Sequence, residues 1–265
     1  MKMFRILSVL LLVTVFMAGS YACKPSGQSM TASEGADFQD SLKESILSSF
    51  VQSADWFFVN LKKDMELLAA TDGVVSGDWQ AMQPLLAAYQ ALHPELFLFY
   101  VVPDGSYAAA QSGPTGKNLS DRPYFPSLMA GNAVVGELVV SRATGLKAAV
   151  VAAPVMKDGM VAGAVGASVF LEKLNDHIAE LLSLPQNMLF FALAPDGVTA
   201  LNTVSERLLV NPADVDDPEL ARGKDYILKE KQGTVTYSLG GVPRTVIFCT
   251  SPVTGWHFAI GTKAQ

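Results

Sequence analysis

Cysteine is almost missing from this chain of 265 residues: Cys23 and Cys249 are its only thiols. Two cysteines give neither a disulfide framework nor a thiolate metal site. Joining them would tie an apolar, strand-like stretch to a loose terminus, so Cys249 is expected to be a buried free thiol. Histidine is nearly as rare, with three residues. His93, His177 and His257 are far apart, and none belongs to a close metal-binding pair. No phosphate-binding glycine loop and no GxSxG nucleophile elbow occurs. The closely spaced glycines of GAVGAS (163–168) fall inside a strand pattern, not at a strand-to-helix turn. Asp216, Asp217 and Glu219 read as a helix start. These absences leave no catalytic residue, metal or cofactor to assign, so an enzyme is not expected.

Charge is also sparse, at 17% of residues, and the net charge is −6. Without Lys2 and Arg5 there are 17 basic and 25 acidic residues, a balance of −8. Nucleic acid demands clustered Lys and Arg, so it is excluded as a partner. Half of the residues are hydrophobic, enough for one large core or two smaller ones.

The start of the chain has the three parts of an export signal in residues 1–22. Lys2 and Arg5 form a basic end, Ile6 to Met17 is apolar apart from Ser8 and Thr14, and small residues follow. The apolar run is shorter than the roughly 20 residues that span a bilayer. Cys23 directly after it suggests a lipidated cysteine. Ala22 fits a lipobox, whereas Ser20 and Tyr21 depart from it, and Ser-Tyr-Ala also suits ordinary cleavage. Residues 23–35, polar and rich in Ser and Gly, are expected to be a flexible tether. The expected location is therefore extracytoplasmic, in the periplasm or anchored to a membrane through Cys23. No second long apolar run follows, so any signal is expected to pass to a separate membrane receptor or transporter.

A helical stripe covers residues 36–75. Phe38, Leu42, Ile46, Phe50, Ala54, Phe58, Leu61, Met65 and Leu68 recur at steps of three or four, ending at Thr71-Asp72-Gly73. A second helix is predicted over 79–92, before His93-Pro94. Strands are predicted over 96–102, 107–110, 134–141, 146–153 and 160–169, with a short helix near 126–130 and another over 171–182. The 113–132 segment reads as a Gly- and Pro-rich loop.

The pattern then repeats. LFLFYVVPDGSYAAA (96–110) is echoed by NMLFFALAPDGVTALN (187–202), so that Phe99 answers Phe191 and Pro103-Asp104-Gly105 answers Pro195-Asp196-Gly197. Later, Pro154-Val155 answers Pro252-Val253 and Gly163 answers Gly261. Two ordered matches at nearly one offset imply two copies of one module, at 76–170 and 171–265, threaded by the first helix. The fold class is α/β of the α+β kind, each module a central antiparallel sheet flanked by helices.

Three segments carry a family likeness: SDRPYF (120–125), VVSRATGLKAAVVAAPVMKDGMVAGAVGASVFLEKL (139–174) and GWHFAIGT (255–262). Together they resemble the extracytoplasmic double Cache (PDC) sensor domain, over residues 36–263. The resemblance implies a long helix beside two PAS-like modules, the membrane-distal one holding a small ligand, as in chemotaxis and signal transduction. It places Arg122, Tyr124 and Phe125 in the pocket, with Ser141, Arg142 and Thr144 on the facing strand and turn and Ser168 on the last strand. Tyr100 and Tyr107 are sheet aromatics within reach of a ligand. Amino-acid-binding relatives carry acids where this chain has Ser141 and Ser168, and a Tyr where it has Lys117.

The physical reading of those residues leans toward an anion. A guanidinium pairs bidentately with a carboxylate, and Lys117, Arg122 and Arg142 form a cationic set whose only nearby acid is Asp121. Serine supplies no charge against an ammonium, and a buried unpaired ammonium costs several kcal/mol. A small carboxylate is therefore the favoured ligand. An amino acid, or a ligand-free scaffold module on the envelope, are the alternatives. Each site residue also has a plain structural reading: Arg122 pairing with Asp121, Tyr124 and Phe125 as core, Lys117 and Arg142 solvated, and the serines as small packing residues.

Overall fold

The computed structural model describes residues 32–263, with side chains from residue 40 onward. The export signal, Cys23 and the tether up to residue 31 lie outside the described residues.

Helix α1 (Ala32–Ala69) starts within the stretch expected to be tether and runs for 38 residues, about 57 Å at 1.5 Å per residue. Of the predicted stripe Phe50, Ala54, Phe58, Leu61 and Met65 are buried, joined by Leu47, Val51 and Ala69, whereas Ile46 and Leu68 are half-buried and Leu42 is exposed. Thr71 ends the helix: its hydroxyl donates to the Leu68 carbonyl at 2.7 Å. Its own carbonyl then accepts from Val74 and Val75, starting a single turn, α2 (Asp72–Val75). Helix α3 (Trp79–Leu92) is capped by Asp78, which accepts from the Gln80 N–H at 3.0 Å. Buried Gln90 stitches α3 to the first sheet, donating to the Leu96 carbonyl at 2.6 Å and accepting from the Leu98 N–H at 2.7 Å.

The first module is a six-stranded antiparallel sheet: β1 (Leu96–Val101), β2 (Ser106–Ala109), β3 (Gly113–Asn118), β4 (Val134–Val140), β5 (Lys147–Lys157) and β6 (Met160–Phe170), in the order β3-β2-β1-β6-β5-β4. The short helix α4 (Phe125–Met129) lies between β3 and β4, and α5 (Leu171–Leu182) leaves the module. The second is five-stranded: β7 (Met188–Leu193), β8 (Thr199–Asn202), β9 (Gln232–Leu239), β10 (Val242–Thr250) and β11 (His257–Lys263), in the order β8-β7-β11-β10-β9. Helix α6 (Pro218–Lys229) precedes β9; Asp217 is its N-cap and accepts from Glu219 and Leu220. Cys249 is a half-buried free thiol on β10, pushed up in pKa by burial.

The strand orders are the same apart from β3, which is an added edge strand. It was expected to be loop because Gly113, Pro114 and Gly116 have little strand tendency; an edge strand tolerates them, since one side of its backbone needs no ladder partner. The twin PDG turns match in detail. Asp104 and Asp196 each accept from the N–H two residues on. Gly105 and Gly197 have φ of 87° and 84°, which favours glycine. The later pairing needs correction. Phe99 lies opposite Gly166 and Phe191 opposite Ala259, so Gly166 corresponds to Ala259 and Ser168 to Gly261. Gly163 and Gly261 are not equivalent. Likewise Pro154, opposite Ala164, answers Thr250, opposite His257, and not Pro252.

One core joins both modules through α1. Phe50 meets Phe190 and Phe258 edge-on at 5.4 and 4.8 Å, and Phe58 meets Trp256 at 5.2 Å. The same core takes in Leu98, Tyr100, Val151 and Val165 from the first sheet. Trp256, fully buried, donates its indole N–H to the Gly136 carbonyl of β4 at 3.0 Å. Gly136 sits at φ 81° beside a bulge in β4, and a side chain there would crowd Thr254 and Trp256. The opposite face of each sheet carries its own smaller core.

Candidate functional site

On β1 side chains alternate. Phe97 and Phe99 point to the outer face of the first sheet, whereas Tyr100 joins the core against α1 and directs its hydroxyl at the Ala162 carbonyl, 3.4 Å away. Phe99 lies over Gly166, where a Cβ would run into its ring. Tyr107 on β2 meets Phe99 edge-on at 6.1 Å. Ser168 sits between Phe97 and Val150 in the sheet. The loop after β3 folds over this face, held by Arg122 N–H to Leu119 at 3.0 Å and Phe125 N–H to Arg122 at 2.9 Å.

A small cavity of about 20 Å³ lies between sheet and loop, room for about one water. Phe97, Phe99, Val139 and Val150 give it apolar walls, and Tyr107, Arg122, Tyr124, Ser141, Arg142 and Ser168 give it polar ones. Six residues predicted from the sequence therefore share one cavity. Four do not line it. Tyr100 is on the other face of its strand. Phe125 is buried in the core beneath α4. Thr144 is exposed in the turn after Ser141. Lys117 points outward, its ammonium against the Arg142 carbonyl. Of the apolar walls, unforeseen in the sequence, Phe97 and Phe99 were legible as alternate β1 residues.

Three cations lace the loop to the strand ends. Arg122 donates to the Val140 carbonyl at 2.8 Å. Arg142, not Arg122, pairs with Asp121 and also donates to the Asn118 carbonyl. Its hydrogen bond holds the exposed Asp121 carboxyl below the usual range. No carboxylate lines the cavity. Burial pushes the Tyr124 phenol up to about 12, so it stays neutral and can donate. Tyr107 is buried and, among the described residues, its hydroxyl has no partner, a costly state for a polar group. Among the described residues no cluster of three or more His, Cys, Asp or Glu could hold a metal, and no helix is long and apolar enough to cross a membrane.

No protein-family model and no curated protein matches the chain. Solved structures do. The ligand-binding domain of the Pseudomonas fluorescens chemoreceptor CtaA, in complex with L-serine, superposes with a TM-score of 0.69 at 15% identity, covering 86% of this chain and 98% of that one. This chain has the double Cache fold. The Pseudomonas aeruginosa PAO1 chemoreceptor PctB domain, in complex with L-Arg, gives 0.65 at 20% identity, covering 86% and 96%. The extracellular domain of the histidine kinase mmHK1S-Z2 gives 0.66 at 16% identity, covering 85% and 97%. The double Cache likeness thus extends over both modules and α1.

Proposed function

We propose that this chain is an extracytoplasmic sensor domain that takes a small ligand between the outer face of the first sheet and the loop ending in α4, without catalysis, and passes occupancy to a membrane-embedded signalling partner. The observation that carries the reading is the buried, unpartnered Tyr107 hydroxyl in a cavity bordered by two arginines. Solved domains of the same fold are complexes with L-serine and L-Arg, so amino acids are the first ligand class. Their carboxylate would meet Arg122, with Arg142 beside it, and the hydroxyls of Tyr107, Ser141 and Ser168 would take the remaining polar atoms. The small cavity must widen, so binding displaces the cation-laced loop.

One observation supports a second reading. With Ser141 and Ser168 at the sheet and no carboxylate in the lining, an ammonium would find only dipoles. A carboxylate without an amino group, such as a 2-hydroxy acid, avoids that cost. A thermal-shift panel pairing each L-amino acid with its 2-hydroxy acid separates the two. Ligand at a hundred times Kd adds about 2.7 kcal/mol, a rise of about 5–10 °C for a domain of this size. Arg122→Ala should abolish the shift. Tyr107→Phe should weaken binding about tenfold while leaving the free protein as stable or slightly more so, because the lost hydroxyl had no partner. A full panel without a shift, or a shift that survives Arg122→Ala, refutes the site.

A further inference from the structure

The second module has a cavity of its own, about 90 Å³, on the outer face of its sheet. That is about three waters' share of liquid volume, room for a ligand of a few heavy atoms. The register shows that it occupies the same place in the repeat. Leu189 and Phe191 stand where the first module has Phe97 and Phe99, and Tyr237 stands where it has Val139. One position differs sharply. Arg244, opposite Lys263 and Tyr237, corresponds to Ala148, opposite Phe170 and Val139. The first module has a fully buried alanine at this point of the sheet and the second has an arginine.

Arg244 Nε is buried and makes no hydrogen bond among the described residues. Burial pulls the guanidinium below its ordinary pKa, and the groups that act on it are the Tyr237 hydroxyl, Arg207 and Asp217. Arg207 lies on the loop covering the cavity and adds a second positive charge. The nearby acids are engaged elsewhere. Asp217 accepts from the N–H groups of Glu219, Leu220 and Gly240, and Glu219 pairs with Arg222. Among the described residues neither Arg207 nor Arg244 has a carboxylate within ion-pair reach. Beside these cations Leu189, Phe191 and Ile227 make an apolar wall.

We infer that the second module is a separate binding site for a short-chain aliphatic monocarboxylate, its carboxylate on Arg244 and Arg207 and its alkyl tail against Leu189, Phe191 and Ile227. A carboxylate supplies the acceptor that Arg244 Nε lacks and the negative charge that offsets two guanidiniums on one cavity. An uncharged amide isostere supplies an acceptor but not the charge. An amino acid is disfavoured, because its ammonium would face two cations. The site is independent of the proposed first-module pocket, which lies on another sheet.

Sodium butyrate, with sodium chloride and butyramide as controls, tests this on the full chain by calorimetry and thermal shift. Butyrate should bind and raise the melting temperature of the wild type and of Arg122→Ala equally, and butyramide should do nothing. Arg244→Gln should weaken butyrate at least tenfold, and Arg207→Gln severalfold. If Arg244→Gln does not fold, the partly exposed Arg207→Gln decides, and unchanged affinity there overturns the inference. So does absence of butyrate binding by the wild type, equal binding of butyramide, or a response lost in Arg122→Ala and kept in Arg244→Gln. The amino-acid panel reads the first pocket separately, so failure of one site leaves the other standing.

Discussion

The first module brings its arginines in on loops, whereas the second has one rooted in the sheet. Arg122 and Arg142 reach backbone carbonyls of neighbouring segments and brace a nearly closed cavity. Arg244 has no brace at its Nε and borders a larger space. The same strand order therefore supports two different electrostatic designs. A loop-borne cation can swing with its loop, so a ligand that attracts it can move the loop. A strand-borne cation is held by its ladder, and only the ligand adjusts. In this repeated fold the scaffold is copied while the charge is free to relocate between sheet and loop.

The largest test of the comparison asks whether the modules are separable at all. Trp256→Ala removes a fully buried indole packed on Phe58 and orphans the Gly136 carbonyl. The expected loss is about 3–5 kcal/mol, read as a lower urea midpoint. A single transition would show that the modules still unfold as one, and two transitions would show that Trp256 is what joins them. The next test swaps equivalent positions. Gly166→Ala drives a methyl into the Phe99 ring and should cost about 1–3 kcal/mol by overpacking. Ala259→Gly, its counterpart under Phe191, should cost about 0.5–1 kcal/mol through chain entropy. Equal losses would mean that the outer faces are packed alike after all.

The smallest effect concerns pH. Asp55 of α1 accepts from the Ser251 hydroxyl, and burial raises its pKa despite that hydrogen bond. A carboxyl whose folded pKa is raised binds its proton more tightly in the native state. Its contribution is most favourable below the unfolded value, near 3.9, and is lost as pH rises through the raised value. Asp55→Asn should therefore flatten the decline in stability above about pH 4 without lowering stability at neutral pH. Denaturant titrations at a series of pH values check this. A variant that is less stable at pH 7 would mean that the charged form is needed in place.

Much of the fold was legible because its signals are local. The PDG turns need glycine at positive φ, and the α1 stripe needs only the helical period. Asp217, with Asp216 and Glu219, announced a helix start by residue type alone. The misses have non-local causes. The β3 edge strand forms because β2 offers it a ladder, against the tendencies of Gly113 and Pro114. The equivalence of Gly163 with Gly261 failed because a bulge between β5 and β6 at Val155/Met156 and unequal loops shift the frame between modules. In the site, motif position placed Arg122, Tyr124, Ser141, Arg142 and Ser168, and the strand reading added Tyr107, but strand alternation alone should have sent Tyr100 to the other face from Phe99.

The sequence by itself determined a duplicated helix-and-sheet plan and the chemistry available to it: few acids near the SDRPYF segment, scattered histidines and no catalytic motif. These depend on residue type and spacing, which the chain carries in one dimension. Only the tertiary structure decided which polar groups lack partners. Tyr107 and Arg244 are ordinary residues in the sequence. Their isolation arises because sheet register and covering loops bury the hydroxyl and Nε without supplying a protein acceptor.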